Sequence, residues 1–372
     1  MKKKNIINLM RLLEHPITGG EIYNHRLDQY LKERFDRVDN ISWPNRPHRN
    51  AMEFISKSLA QNLSNVSLLK RIRDVDGDVV ILEDGSQSAD LFLFNLLIRA
   101  LRVGMGKRVR IVSQIHHTYA PLMENKLKRT LMFAVESIFA NSLDGIITIS
   151  EFTKSLVDRM LRRHIDTLIA YPGLNVSGLG CKRLRIDDGN VDLLFVGYLI
   201  PRKGVDTLVK SINILVKNRG LDRLTLHVVG DTERDEIYVQ GIREYCRKES
   251  IEDHVIFHGR VSESDLQNLY ETSDIFVFPS LWEGFGMVLA EAMSYGLPIV
   301  TTNAGAIPYL VKDGRNGFLV PPQDPEKLAQ AIDKLIASPE LRAEFGEVNR
   351  EVAAEFSWER SFAKVVNFLD KL

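Results

Sequence analysis

Apolar positions along the chain follow two periods, and stretches of one alternate with stretches of the other. Short apolar runs of strand length stand at 5–12, 78–82, 108–115 and 145–149, and helical spacing appears at 20–34, 125–139 and 153–163. This alternation predicts a parallel sheet covered by helices on both faces. The same pattern restarts after Gly173. From Leu193 an apolar strand runs into a loop carrying Arg202 and Lys203, and a helix follows with Val205, Leu208, Ile212, Leu215 and Val216 at helical spacing. Residues 274–280 read as a further buried strand, and 287–295 as a helix closed by Gly296 and followed by Pro298. Residues 173–189 hold four glycines, Cys181 and mixed charge, and read as an interdomain linker. A last helix begins in the stretch Phe356-Ser357-Trp358 and runs through Phe362, Val365, Val366 and Leu369.

Length and composition sharpen this picture. A chain of 372 residues is long enough for two domains, each with its own core, and 44% hydrophobic with 26% charged residues suits a soluble globular protein. No run of 18 apolar residues exists, and Lys2-Lys3-Lys4 leads straight into a strand, so a cytoplasmic protein is expected. Cys181 and Cys246 form neither a disulfide framework nor a metal cluster and read as unpaired thiols. Asp74, Asp76 and Asp78 spell Asp-x-Asp literally but read as a turn before a strand, so no metal is expected there.

A net charge of zero conceals a division. Residues 1–175 carry 26 Lys and Arg against 19 Asp and Glu, an excess of +7, which leaves −7 for the remainder. Within the basic half, Arg99, Arg102, Lys107, Arg108, Arg110, Lys126, Lys128 and Arg129 face a single acid, Glu124, among apolar Leu97, Ile98, Leu101, Val103, Leu131, Met132 and Phe133. One reading is peripheral contact with an anionic membrane; the other is a solvated helix face beside a core helix. Nothing in the chain reads as a nucleic-acid motif.

The candidate chemistry lies at strand-to-helix junctions. Glu283-Gly284-Phe285-Gly286-Met287 follows the 274–280 strand, and Glu291 stands eight positions after Glu283. On one helix that spacing would separate the two acids by about 12 Å at ~1.5 Å rise per residue. Glycoside hydrolysis needs its carboxylates closer, within roughly 5 to 10 Å and flanking one bond. Two acids gripping different parts of one elongated ligand fit better. Arg202 and Lys203 stand where a strand meets a helix N-terminus, a position that favours anions, and a guanidinium adds bidentate phosphate recognition. Gly19-Gly20, opening the first helix, is a weaker phosphate signal of the same kind.

Together these stretches resemble the family-four retaining glycosyltransferases, the glycosyl transferases group 1. The resemblance rests on Gly197 and Arg202-Lys203-Gly204, on Glu283 to Glu291, and on Phe257-His258-Gly259-Arg260-Val261, Glu291-Ala292-Met293, Gly296-Leu297-Pro298 and Asp313-Gly314-Arg315-Asn316-Gly317. It covers nearly all of 191–335. It is weaker before that, at Gly19-Gly20, His116-His117, Ser150-Glu151-Phe152-Thr153 and Tyr171-Pro172-Gly173.

The resemblance implies an α/β protein of GT-B fold, with two Rossmann-like doubly wound domains facing a central cleft. The domains would be 1–175 for the acceptor and 176–355 for the sugar-nucleotide donor, with 356–372 forming a helix that packs back on the first. Arg202 and Lys203 would hold the diphosphate of a UDP- or GDP-sugar. Glu291 would hold the ribose hydroxyls, and Glu283 would lie near the sugar. Backbone at Phe285 and Gly286 would contact that sugar, with Met287 and Val288 beside them. The base would lie near Arg260 and Val261, Gly19-Gly20 would approach the diphosphate, and His116 would touch the transferred sugar. Adjacent strand residues point to opposite faces, so one of His116 and His117 is expected to face the ligand, and His116 is the choice. The expected activity is retaining hexosyl transfer to an acceptor hydroxyl on a lipid or polysaccharide precursor, with no cofactor. A sugar-nucleotide epimerase, a glycoside phosphorylase using pyridoxal phosphate and a non-catalytic sugar-nucleotide-binding subunit are the alternatives.

Overall fold

The computed structural model describes residues 4–10, 19–41, 66–85, 88–123, 125–174 and 189–372. The chain divides into two units, Met1–Pro172 together with Trp358–Leu372, and Gly173–Ser357. Cys181 and most of the expected linker lie outside the described residues. Cys246 is a free, buried thiol whose pKa burial pushes up to about 11.

Among the described residues the first unit holds six parallel strands: β1 (Lys4–Asn8), β2 (Arg37–Asn40), β3 (Asp78–Asp84), β4 (Val109–Ile115), β5 (Gly145–Thr148) and β6 (Asp166–Ile169). They lie in the order β2-β1-β3-β4-β5-β6. Ile6, Ile7, Val79, Val80, Ile81 and Leu82 are buried on both faces of this sheet, which explains runs that are apolar throughout rather than alternating. The order reverses between β1 and β3, and in open parallel sheets ligands bind beyond the strand C-termini at such a reversal.

Several local readings need adjusting. The first strand ends at Asn8, and the first helix, expected from 20, starts one residue earlier as Gly19–Lys32, with Gly19-Gly20 opening it as read from the sequence. The helix expected over 153–163 is Glu151–Asp158, capped by the Ser150 hydroxyl. It stops because the chain is drawn onto its neighbour: Ser137 Oγ and Asn141 Nδ2 both donate to the Met160 carbonyl, and Asn141 Oδ1 accepts from Arg162 N–H. The helix expected over 125–139 runs Lys126–Ser142, with Asn125 Oδ1 accepting from the Leu127 and Lys128 amides as its cap.

The basic stretch is also largely structural. Arg99, Arg102 and Arg110 converge on buried Asp144 at 3.6, 2.6 and 3.8 Å, and Lys107 donates to the carbonyls of Arg73 and Val75. Four of the cations counted as surface charge therefore bind other parts of the same unit. Composition cannot reveal this, because Asp144 lies beyond the basic stretch. Of the three aspartates read as a turn before a strand, Asp74 ends the helix Val66–Asp74 and Asp78 opens β3 and accepts from the Arg108 amide, so only Asp76 lies in the turn.

The last helix, Trp358–Lys371, packs within the first unit. Tyr23 meets Trp358 and Phe362 edge-on at 5.6 and 5.3 Å, and Tyr30 donates to Glu359 at 3.1 Å.

The second unit repeats the plan with β7 (Val191–Val196), β8 (Leu224–Val229), β9 (Val255–Gly259), β10 (Ile275–Phe278), β11 (Ile299–Thr302) and β12 (Gly317–Val320). Their order is β12-β11-β10-β7-β8-β9, all parallel, so this sheet reverses between β7 and β10.

One buried acid gives the first unit a pH signature. Glu83 is fully buried, and Asn95 Nδ2 donates to one of its oxygens at 3.0 Å. Among the described residues, its other oxygen and Asn95 Oδ1 both lack a partner. A single proton on Glu83 supplies the missing donor, and burial raises its pKa from 4.5 to about 8. Because the folded pKa is the higher one, the proton's stabilisation is complete below the unfolded value and is lost as pH rises through the folded value. Chemical denaturation should show the first unit weakening between pH 4.5 and about 8, with a slope on the order of 1 kcal/mol per pH unit. Glu83→Gln, which keeps a donor at that position, should flatten the slope.

Candidate active site

The reversal of the second sheet brings the loop after β7 beside the loop after β10. The first passes from Gly197 through the 3-10 turn Pro201–Lys203 to Gly204, which starts the helix Val205–Arg219. Gly204 has φ +71°, and a β-carbon there would lie 2.2 Å from the Pro279 carbonyl oxygen, so only glycine lets the two loops approach this closely. The Leu281 amide donates to the Arg202 carbonyl at 2.8 Å across the same junction.

Glu283 occupies the centre. Lys203 Nζ lies 2.6 Å and Arg202 Nη1 3.2 Å from its Oε1, and the Ser280 hydroxyl donates to the same atom at 2.6 Å. Arg202 Nη1 also donates to the Trp282 carbonyl at 2.6 Å. Burial pushes the Glu283 pKa up, but Lys203 and Arg202, with hydrogen bonds from Lys203 and Ser280, together hold it below the ordinary carboxyl value. Burial lowers the Lys203 pKa, with Glu283 opposing. The pair is ionic, and the three charges sum to +1. Arg202 is the most open member, with 39% of its side chain exposed against 11% for the other two. The backbone of Glu283 is pinned as well, since the Ala306 amide donates to its carbonyl at 2.9 Å.

Beyond Glu283 the chain passes buried Phe285, edge-on to Phe356 at 5.3 Å, to Gly286, whose φ of +95° turns it into the helix Met287–Ser294. Met287 and Val288 form the half-buried first turn. Glu291 follows one turn later, half-buried, and accepts from the Tyr270 hydroxyl at 3.2 Å. Burial raises its pKa, with Tyr270 opposing. On the other side of β7, Arg260 extends past β9 and pairs with Asp231 at 2.6 Å, with half-buried Val261 next to it.

The structure gathers Arg202, Lys203 and Glu283 into one cluster, where the sequence reading assigned the cations to the diphosphate, Glu283 to the sugar beside it and Glu291 to the ribose. Arg260 and Glu291 stand apart from it. Ser280 and Tyr270 escaped sequence reading. Ser280 could have been noticed as the residue closing the 274–280 strand, whereas no spacing marks Tyr270.

In the first unit His116 and His117 lie beyond the end of β4, so strand alternation does not separate them; burial does. His116 is buried, with Nε2 3.1 Å from Asn24 Oδ1 and its ring edge-on to Tyr23 at 5.6 Å, whereas His117 is half-buried against Tyr119. Burial lowers the His116 pKa, with Asp84 opposing. Gly20 lies against this imidazole, where an added β-carbon would sit 3.6 Å from the ring. Gly19 precedes it in the same helical turn. Asn24 and Asp84 carry no signal in the sequence.

The profile of the family glycosyl transferases group 1 matches residues 181–352. An uncharacterized glycosyltransferase of Methanocaldococcus jannaschii is 30% identical over 259 residues, covering 69% of this chain and 67% of that protein. A D-inositol 3-phosphate glycosyltransferase of Streptomyces scabiei is 29% identical over 207 residues, covering 52% of this chain and 46% of that protein. Among solved structures, HepE of Anabaena in complex with UDP has a TM-score of 0.77 at 18% identity, covering 99% of this chain and all of that one. Sucrose-phosphate synthase from Thermosynechococcus elongatus has a TM-score of 0.74 at 20% identity, covering 99% and 98%. These likenesses establish the GT-B fold and no more. By its sequence relatives and its fold, the chain belongs to the group 1 glycosyltransferases.

Proposed function

We propose that this glycosyltransferase moves a hexose, with retention, from a UDP- or GDP-sugar to an acceptor hydroxyl on a lipid or polysaccharide precursor. The observation that carries this reading is the Arg202–Lys203–Glu283 cluster at the sheet reversal, a net positive group at a helix N-terminus. HepE, of the same fold, has been solved with UDP and with UDP-glucose, which supports a nucleotide diphosphate sugar as donor.

In this reading negative charge grows on the departing diphosphate as the glycosidic bond breaks. Arg202, Lys203 and the amides ahead of Val205 meet that charge, stabilising the transition state more than the bound donor. No metal or other cofactor is invoked. Glu283 uses Oε1 for Lys203, Arg202 and Ser280, leaving Oε2 to accept from a sugar hydroxyl. A carboxylate so engaged is a poor nucleophile, so retention is assigned to same-face substitution in which the leaving phosphate takes the acceptor proton. Glu291 accepts from ribose hydroxyls, with Tyr270 orienting it. Gly197, Arg260 and Val261 border the base, while Phe285, Gly286, Met287 and Val288 border the sugar. Gly19, Gly20 and His116 are assigned the first unit's contacts to the donor.

The precursor is assigned to a membrane. Among the described residues no helix is long and apolar enough to cross one. The helix Lys126–Ser142, however, exposes Leu127, Leu131, Ala134 and Ile138 along one face, with Leu127 68% and Leu131 59% exposed. Lys126, Lys128 and Arg129 fill its first turn, against the helix dipole and without an acid. This stripe, rather than the arginines around Asp144, is the proposed contact with an anionic bilayer on the cytoplasmic side.

Arg202→Ala should lower kcat about a hundredfold, the cost of one donor to developing charge. Glu291→Ala should abolish the rise in melting temperature produced by UDP or GDP. Product analysis with a labelled sugar nucleotide decides the reaction: a new glycoside of unchanged anomeric configuration is expected, and a free epimer or an inverted product would overturn the assignment. Gly204→Ala, forced against Pro279, should destabilise the second unit by more than ~1 kcal/mol and weaken nucleotide binding with it. In sedimentation with vesicles, the protein should bind phosphatidylserine-containing but not phosphatidylcholine membranes, and Leu127→Glu with Leu131→Glu should release it.

A further inference from the structure

The first sheet also has a reversal, between β1 and β3, and a chain of three polar side chains crosses it. Asp84 ends β3, Asn24 lies in the helix after β1, and His116 follows β4. Asn24 Nδ2 donates to Asp84 Oδ2 at 2.8 Å, and Asn24 Oδ1 lies 3.1 Å from His116 Nε2. Asn24 is 1%, Asp84 5% and His116 8% exposed, so water does not compete for these bonds.

The order of the three groups determines where the imidazole proton sits. A carboxylate only accepts, so Asp84 turns the amide of Asn24 with its NH₂ inward. The carbonyl end of that amide then faces the histidine, and a carbonyl also only accepts. His116 Nε2 must therefore carry a hydrogen, which leaves Nδ1 as the nitrogen with the lone pair. Gln114 agrees once its amide is turned over. Its amide lies 3.4 Å from His116 Nε2, and with the oxygen on that side it is a second, longer acceptor for the N–H that Asn24 Oδ1 takes at 3.1 Å. The main chain is held too, since Thr153 Oγ1 donates to the His116 carbonyl at 3.3 Å.

We infer that Asp84 and Asn24 are positioning residues that lock His116 as the neutral Nε2–H tautomer, so that Nδ1 accepts a hydrogen bond from a sugar hydroxyl. The lock concerns the protein alone; its use in transfer rests on the assignment of His116 to the sugar made above. A neutral acceptor suits this position, because an imidazolium would turn Nδ1 into a donor and add a buried charge. Asp84 is the charged group aligned with the ring, and Tyr23 meets it edge-on.

Nitrogen-15 spectra of the imidazole in the full-length protein without ligand test the lock. The wild type should show a fully protonated Nε2, an unprotonated Nδ1 and a slowly exchanging ring N–H near neutral pH. Asp84→Asn frees the Asn24 amide to rotate, and Asn24→Leu removes the acceptor, so either should give averaged nitrogen shifts and fast exchange. Asn24→Asp should instead raise the His116 pKa by about one unit or more, by placing a carboxylate against Nε2. A wild-type ring protonated at Nδ1, or tautomers already averaged in the wild type, would sink the inference. So would a folded Asp84→Asn or Asn24→Leu protein with an unchanged spectrum. In transfer assays Asp84→Asn should lower kcat about tenfold, the loss of one hydrogen bond in the transition state, while the UDP or GDP thermal shift persists. An averaged tautomer with unchanged kcat would leave the lock standing and remove His116 from the sugar.

Discussion

Glu283 lies almost out of solvent, and a carboxylate there is tolerable only while cations and donors surround it. Lys203 is in the same position with the sign reversed. Each charge favours ionisation of the other, with Arg202 and Ser280 also serving Glu283, so the loop after β7 and the loop after β10 are bound to one register by electrostatics as well as by the close approach at Gly204. This mutual dependence explains the clustering of Arg202, Lys203 and Glu283. Arg202 shares the carboxylate but remains partly open, so the ion pair holds the geometry while an uncompensated cation faces outward.

The two units show the same logic with different chemistry. In each, a parallel sheet reverses its order, and buried polar side chains collect where the strands on either side of the reversal end. In the second unit the polar residues are charged and paired. In the first they are an amide between a carboxylate and an imidazole, where hydrogen-bond direction rather than net charge sets the state. The strand interiors are mostly apolar, with exceptions such as Glu83, so most polar groups buried at these ends find their partners among the residues gathered there.

Much of this was legible in the sequence, and the reasons differ by region. Strand runs such as 78–82 and the helix after Gly204 follow from period alone. Arg202, Lys203, Glu283 and Glu291 stood out because strand-to-helix junctions can hold anions, and above all because the surrounding residues resemble one family. The joining of Glu283 to Lys203 was not legible, since 80 residues separate them and the contact exists only once β7 and β10 are neighbours. The arginines at 99, 102 and 110 read as surface charge because their shared carboxylate, Asp144, arrives with a later strand. Asn24 and Asp84 are ordinary residues at ordinary positions, made significant only by the packing of three separate segments.

The last helix joins the first unit although the whole second unit intervenes in the chain. Tyr23, which precedes the second unit in the chain, is buried by Trp358 and Phe362, which follow it, and Gly145 leaves room for Phe368 and Leu372, whose side chains would crowd any β-carbon there. During synthesis the first sheet therefore emerges long before the helix that covers part of it, and until then an apolar surface around Tyr23 is open to solvent. The second unit, contiguous in sequence, can fold in the meantime. The order of completion is thus the reverse of the order of translation: the unit begun first is the one finished last.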